Sequence, residues 1–132
     1  MTGDELAARL GEPRLLVLDV RTQAEYDGTA GYPCDVRQGH VPGARHLEVS
    51  ELLALDDEEL RQRLGDPAAL DVVAYCHSGS RSAMAVERLR AAGFDARNYA
   101  GSWHEWSRRE RAVQTAPPTP GQGRRGSALP DE

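Results

Sequence analysis

The chain has 132 residues, of which 39% are hydrophobic and 28% are charged, a composition typical of one compact domain with an ordinary core. All 16 basic residues are arginine, which excludes lysine-dependent chemistry such as Schiff-base formation and phosphate binding by a P-loop lysine. The net charge of -5 argues against nucleic acid as a partner. No apolar stretch approaches the roughly 18 residues that a membrane span needs, so we expect no membrane partner either.

Short apolar runs alternate with helical patterns along the chain, which is typical of parallel βαβ units. In chain order the pattern first predicts a helix at 4–10, a strand at 15–18, a brief helix after the capping box of Thr22 and Glu25, and a loop at 27–39. A weak strand at 44–47 and helices at 50–55 and 57–64 come next. The pattern ends with a strand at 71–75, a helix at 81–92, a strand at 96–99 and a last helix from 101. The run at 15–18 is apolar throughout, as in strands that are buried on both faces.

The composition changes near Val113. Residues 113–132 contain four of the eight prolines and three of the 13 glycines, with almost nothing large and apolar. We therefore predict a folded catalytic domain at 1–112 and a Pro/Gly-rich, disordered tail at 113–132.

The chain has two cysteines, Cys34 and Cys76, and its start shows no secretory signal. We therefore expect a cytoplasmic location and no disulfide framework. Without a disulfide, a cysteine in a special loop becomes a candidate nucleophile.

Cys76 directly follows the strand predicted at 71–75 and precedes the helix predicted at 81–92. Parallel sheets bind ligands at this edge, where the helix dipole and free N–H groups stabilise a thiolate. Gly79 lets the loop curl so that its N–H groups point at the sulfur. Arg81 offers a guanidinium either for an anionic substrate or for holding the loop closed. A lone cysteine is more often a small buried hydrophobe, but this order of elements favours a nucleophile.

Four motifs occur in one order: Leu18-Asp19-Val20-Arg21, Gly39-His40-Val41-Pro42-Gly43-Ala44, Cys76-x-x-Gly79-x-Arg81-Ser82 and Tyr99-Ala100-Gly101-Ser102-Trp103-x-Glu105-Trp106. With them the chain resembles the rhodanese family of sulfurtransferases, and it is most similar to the C-terminal, catalytic half of the two-domain thiosulfate and 3-mercaptopyruvate sulfurtransferases. The resemblance implies a three-layer α/β/α domain, with a mainly parallel sheet of about five strands. It also implies that no cofactor is needed: the cysteine takes a sulfane sulfur from a small anionic donor, holds it as a persulfide and passes it to cyanide, a thiol or a protein acceptor.

The resemblance gives roles to residues of this chain. Cys76 is the expected nucleophile, and the expected anion nest is the following turn: His77, Ser78, Gly79, Ser80, Arg81 and Ser82. Asp19 and Arg21 are expected at the same edge of the sheet. Arg21 is the candidate for gripping the donor, and its alternative role is a structural salt bridge with Glu25.

The loop at 27–39 contains Cys34, which is a candidate relay or resolving thiol for Cys76, although loop cysteines are more often incidental. His46 and His104 have no ligand-like spacing with either cysteine, so no metal site is predicted.

Two alternatives to this enzyme stay open. One is a persulfide carrier loaded by a protein partner, because the resemblance covers only one half of a two-domain enzyme; the cleft is then left open, or is covered by a partner or a second copy. The other is a phosphatase-like or arsenate reductase-like enzyme. Those relatives by fold have five residues between cysteine and arginine, whereas four separate Cys76 from Arg81, which suits sulfur better than phosphate. The donor also stays open, because His77 and Ser78 replace a basic pair typical of thiosulfate users.

Overall fold

Four parallel strands form the sheet of the computed structural model, which describes residues 1–115. The strands are β1 (Leu15–Asp19), β2 (Arg45–His46), β3 (Asp71–Tyr75) and β4 (Asp95–Asn98), in the order β2-β1-β3-β4. The described residues thus contain one strand fewer than the predicted five. The β1–β3 register pairs Asp19 with Tyr75, so the carboxyl ends of the two central strands meet at one edge of the sheet.

The helices lie close to their predicted positions. They are α1 (Gly3–Arg9), α2 (Gln23–Asp27), α3 (Val49–Ala54), α4 (Asp57–Leu64), α5 (Ser80–Ala91) and α6 (Ser102–Trp106), with a 3-10 turn at Pro67–Ala69. The predicted capping box is present, since Thr22 and Glu25 each accept the other's backbone N–H. Within residues 1–115 no helix is long and apolar enough to cross a membrane.

Both faces of the sheet are buried, which explains why its two central strands are largely apolar, with one aspartate at an end of each. In β3, Val72 and Ala74 pack on the side of α3, α4 and α5, whereas Val73 and Tyr75 pack on the side of α1 and α6. The helices therefore cover the sheet from two sides, and the predicted three-layer α/β/α architecture is confirmed.

The chain after α6 returns to the start of the second motif. Gln114 and His40 exchange both backbone hydrogen bonds, at 2.7 and 2.9 Å. The first residues of the predicted tail thus lie against the domain. The rest of that tail, residues 116–132, lies outside the described residues.

Candidate active site

The Cys76 thiol lies at the turn between β3 and α5 and is 1% exposed. The N–H of Gly79 donates to Sγ at 3.1 Å, and both the N–H and the hydroxyl of Ser82 lie 3.4 Å from it. These three donors form the thiolate cradle. All of them stabilise negative charge on Sγ, and none is itself charged.

Gly79 makes this turn possible for two reasons. Its φ of +101° lies in the left-handed region, where residues with a Cβ are strained. A Cβ at this position would also come within 2.8 Å of the Ala100 carbonyl oxygen. Glycine is therefore the residue that lets the backbone pass Ala100 and turn its N–H toward Sγ.

Two opposed effects act on the pKa of the Cys76 thiol. Burial is the largest and acts to raise the pKa, because the thiolate loses its water. The hydroxyl of Ser82 and the backbone N–H groups of Ser82, Gly79 and Ser78 act in the other direction, and the pKa is lowered from its usual value. The turn therefore favours the reactive thiolate.

The Ser82 hydroxyl has a choice of acceptors. Its oxygen lies 2.7 Å from Asn98 Oδ1 and 3.4 Å from Cys76 Sγ, and a hydroxyl carries only one proton. A charged acceptor attracts that proton more strongly than a neutral one. The Ser82 hydroxyl thus stabilises the thiolate more than the thiol.

The start of α6 holds the backbone of Cys76 in place. Ser102 Oγ accepts the N–H of Cys76 at 3.1 Å, and the N–H of Trp103 donates to the Cys76 carbonyl at 2.9 Å. Ser102 has a φ of +56°, an uncommon conformation for a residue with a side chain. The Gly-Ser-Trp motif therefore fixes the backbone of Cys76 with two hydrogen bonds. Trp103 and Trp106 are both buried in the core.

Asp19 and Arg21 lie at the same edge of the sheet but face inward. Arg21 is 1% exposed, and its guanidinium donates to Asp19 at 2.7 Å and to the Gly39 carbonyl at 2.6 Å. Burial alone acts to lower the pKa of Arg21, but the bonds to Asp19 raise it. A guanidinium held in this way serves the fold and does not face a donor in the cleft. Its partner is Asp19 and not the expected Glu25.

Arg81, and not Arg21, is the arginine that lines a cleft at the surface. Its guanidinium donates to Glu25 at 3.0 and 3.4 Å, and both side chains line an open cleft with Thr22, Gly31, Tyr32 and Pro33. Burial acts to raise the pKa of Glu25, but the bonds from Arg81 lower it. The cleft therefore presents an ion pair, and an anionic donor has to compete with a carboxylate for Arg81.

The remaining residues of the turn divide into buried and exposed ones. Ser78 and Ser80 are exposed. His77 is buried, its Nε2 lies 3.1 Å from Asp35 Oδ1, and its ring stacks on Tyr32 with 3.7 Å between ring centroids. The partners Asp35 and Tyr32 were missed in the sequence because they lie in the loop at 27–39, where no periodicity marks a position.

Cys34 is exposed and Cys76 is buried, and both are free thiols. Cys34 Sγ lies 4.0 Å from Asp35 Oδ1, and Asp35 in turn contacts His77, the residue after Cys76. The relay role of Cys34 stays a prediction.

Comparisons with known proteins point to one family. A family model described as "Rhodanese-like domain" matches residues 2–109. A "Probable 3-mercaptopyruvate sulfurtransferase" of Pseudomonas aeruginosa is 39% identical over 76% of the chain, which covers 39% of that protein. "Sulfur carrier protein TtuD" of Thermus thermophilus is 32% identical over 74% of the chain and is covered to 40%. A crystal structure of a "Probable Thiosulfate Sulfurtransferase" is 40% identical, with a TM-score of 0.72 over 86% of the chain and 46% of that structure. The chain thus spans about two fifths of the length of these curated relatives.

We expect Arg21→Ala to lower the free energy of unfolding by about 3–5 kcal/mol, because it leaves the buried Asp19 carboxylate without its cation. Urea unfolding measures the change. The matched control is Arg61→Ala, which removes an exposed arginine 3.7 Å from Glu58 and should change the stability by less than about 1 kcal/mol. Equal effects of the two variants would contradict a structural role for Arg21.

We expect Ser82→Ala to raise the pKa of Cys76, because the hydroxyl is the largest of the effects that lower it. The rate of alkylation by iodoacetamide, followed against pH in a Cys34→Ser background, reports this pKa. Its midpoint should move to higher pH in Ser82→Ala and stay in place in Ser80→Ala, which alters an exposed serine of the same turn. An unchanged midpoint in Ser82→Ala would assign the shift to the backbone amides alone.

Proposed function

The chain belongs to the rhodanese-like domain family, and we propose on this premise that it is a sulfurtransferase whose Cys76 carries the transferred sulfur as a persulfide. The observation that carries the proposal is the thiolate cradle. Three donors converge on one buried sulfur at the carboxyl end of β3, which is the arrangement that an anionic sulfur nucleophile needs.

The reaction has two displacement steps. The Cys76 thiolate attacks the outer sulfur of a donor such as thiosulfate; a new S–S bond forms, the donor's own S–S bond breaks, and sulfite leaves with the electron pair. With 3-mercaptopyruvate the C–S bond breaks instead, and the electron pair leaves on carbon as the enolate of pyruvate, which takes up the thiol proton. Cyanide or a thiolate then attacks the outer sulfur of the persulfide, which releases thiocyanate or a new persulfide and returns the Cys76 thiolate. Both the thiolate and the persulfide carry negative charge on sulfur. The same uncharged hydrogen-bond donors of the thiolate cradle therefore stabilise the charge in each step.

The proposed donors are small anions, thiosulfate or 3-mercaptopyruvate. Both names occur among the relatives. Both compounds carry a negative group away from the sulfur that is transferred, and Arg81 is the cation at the cleft that can bind such a group. Its partner Glu25 weakens that binding, because the donor has to replace a carboxylate that is already hydrogen-bonded to Arg81.

The carrier function is the second candidate, in which a protein loads Cys76 and another protein, or a second copy of the chain, covers the cleft. Two observations favour it. One relative is named a sulfur carrier protein, and the cleft beside Arg81 is open and lined partly by the exposed Tyr32.

A phosphatase-like function has less support from the geometry. A loop that holds a tetrahedral phosphate uses its arginine as a bidentate partner of the phosphate oxygens. Here both terminal nitrogens of Arg81 face Glu25 instead. Because this carboxylate opposes any anion at the same place, thiosulfate included, the distinction rests on the spacing, with four residues between Cys76 and Arg81.

Intact-protein mass spectrometry tests the covalent step. After incubation with thiosulfate or 3-mercaptopyruvate, wild type should gain about 32 daltons, one sulfur atom, and cyanide should remove it. The gain should persist in Cys34→Ser and be absent in Cys76→Ser. An adduct that survives in Cys76→Ser would contradict the assignment. No adduct from either compound in wild type would favour the carrier, and aryl phosphate hydrolysis that is lost in Cys76→Ser would favour the phosphatase.

We expect the ion pair at the cleft to control the KM of the anionic donor. Glu25→Gln should lower the KM, because Arg81 no longer faces a carboxylate, and Arg81→Gln should raise it, each by a factor of up to about ten. The matched control is Arg88→Gln, which alters an arginine of the same helix that pairs with Asp57 and should leave the KM unchanged. Steady-state kinetics with thiosulfate and cyanide provides the measurement. A rise in KM for Glu25→Gln would contradict the competition between donor and carboxylate.

A further inference from the structure

Four side chains with metal-ligand chemistry meet beside the catalytic turn. They are Cys34, Asp35, His77 and His104, and their ligand atoms lie within 4.8 Å of one another. Two of them come from the loop at 27–39, one from the turn after β3 and one from α6. The folded loop thus assembles a group that the spacing in the sequence did not indicate.

We propose that Cys34, Asp35, His77 and His104 form a zinc site. A thiolate, a carboxylate and two imidazoles are the donor types that Zn²⁺ takes in proteins, in tetrahedral geometry. The two negative charges of Cys34 and Asp35 balance the charge of the ion. Cys76 is not among the ligands of this site.

The distances are close to those of a tetrahedral site. Asp35 Oδ1 lies 3.1 Å from His77 Nε2, 3.7 Å from His104 Nδ1 and 4.0 Å from Cys34 Sγ. Bonds of about 2.0–2.3 Å from zinc to its ligands place tetrahedral neighbours about 3.3–3.8 Å apart. The four ligand atoms lie within 4.8 Å of one another, so the side chains have to draw together by up to about 1 Å to close a tetrahedral site.

Asp35 supplies an independent observation. Its side chain is 1% exposed, and its Oδ2 has no hydrogen bond from the described residues, although His77 Nε2 lies 3.1 Å away. A buried carboxylate oxygen without a partner is costly. A cation held by both oxygens of the Asp35 carboxylate would remove that cost.

The backbone around the site is already fixed. The Arg108 guanidinium donates to the Cys34 carbonyl at 3.0 and 3.1 Å, and the N–H of His104 donates to the His77 carbonyl at 2.9 Å. The three segments that supply the ligands are therefore held together without the ion. Zinc binding then orders only side chains, and the loss of conformational entropy is small.

Isothermal titration calorimetry tests the proposal. The full chain is first stripped of metal with a chelator and is then titrated with ZnCl₂. Wild type should bind one zinc ion. The Cys34→Ser and His104→Ala variants should bind at least about tenfold more weakly. Both change exposed or half-exposed residues, and their thermal unfolding without zinc should match wild type. With CoCl₂, wild type should show a thiolate-to-cobalt charge-transfer band that Cys34→Ser lacks.

The matched cysteine control is Cys76→Ser, which should bind zinc as wild type does. This result is independent of the sulfurtransferase proposal, because the variant cannot carry a persulfide. No stoichiometric zinc binding by wild type, or unchanged affinity in Cys34→Ser, would overturn the site. Loss of binding in Cys76→Ser would also overturn it, since the nucleophile itself would then be the ligand.

Discussion

The buried pair of Asp19 and Arg21 is the interaction on which the edge of the sheet depends. Asp19 ends β1, and it accepts hydrogen bonds from Arg21 and from the hydroxyl of Tyr75 at the end of β3. The same hydroxyl accepts the N–H of Val41, and Arg21 reaches the carbonyl of Gly39. One carboxylate therefore joins both central strands to the segment that follows the long loop, and removing either charge leaves the other uncompensated in the core.

The reactive turn is built on that edge from parts with different tasks. Tyr75 fixes the strand end, so the position of Cys76 directly after it is fixed as well. Gly79 directs an amide at Sγ, and Ser102 holds the backbone N–H of Cys76 that would otherwise be buried without an acceptor. The left-handed conformation of Ser102 is a local cost that the clamp on the nucleophile offsets.

The sequence predicted the fold more fully than the site, for a physical reason. Strands such as Asp71–Tyr75 and the capping box at Thr22 depend on neighbours along the chain, and their patterns are local. The partners of Arg81 and His77 depend on how loops pack. Arg21 was expected to bind the donor or Glu25, yet Asp19, two residues before it, is the nearest buried anion once β1 has formed. Nothing local marks Asp35, which lies in a loop without periodicity.

The arrangement of charge around Cys76 bears on its proposed roles as nucleophile and as sulfur carrier. A thiolate stabilised by a nearby cation has a lower pKa but also a lower nucleophilicity. Here the groups in contact with Sγ are uncharged amides and a hydroxyl, and the cation Arg81 is directed to Glu25. Burial acts to raise the pKa of Cys76, and it keeps the thiolate reactive because the thiolate loses its water. The hydrogen bonds of the thiolate cradle lower the pKa and so keep the thiolate populated. In the proposed transfer the persulfide is also an anion on sulfur, so the same uncharged hydrogen-bond donors can stabilise the charge before and after the sulfur is accepted.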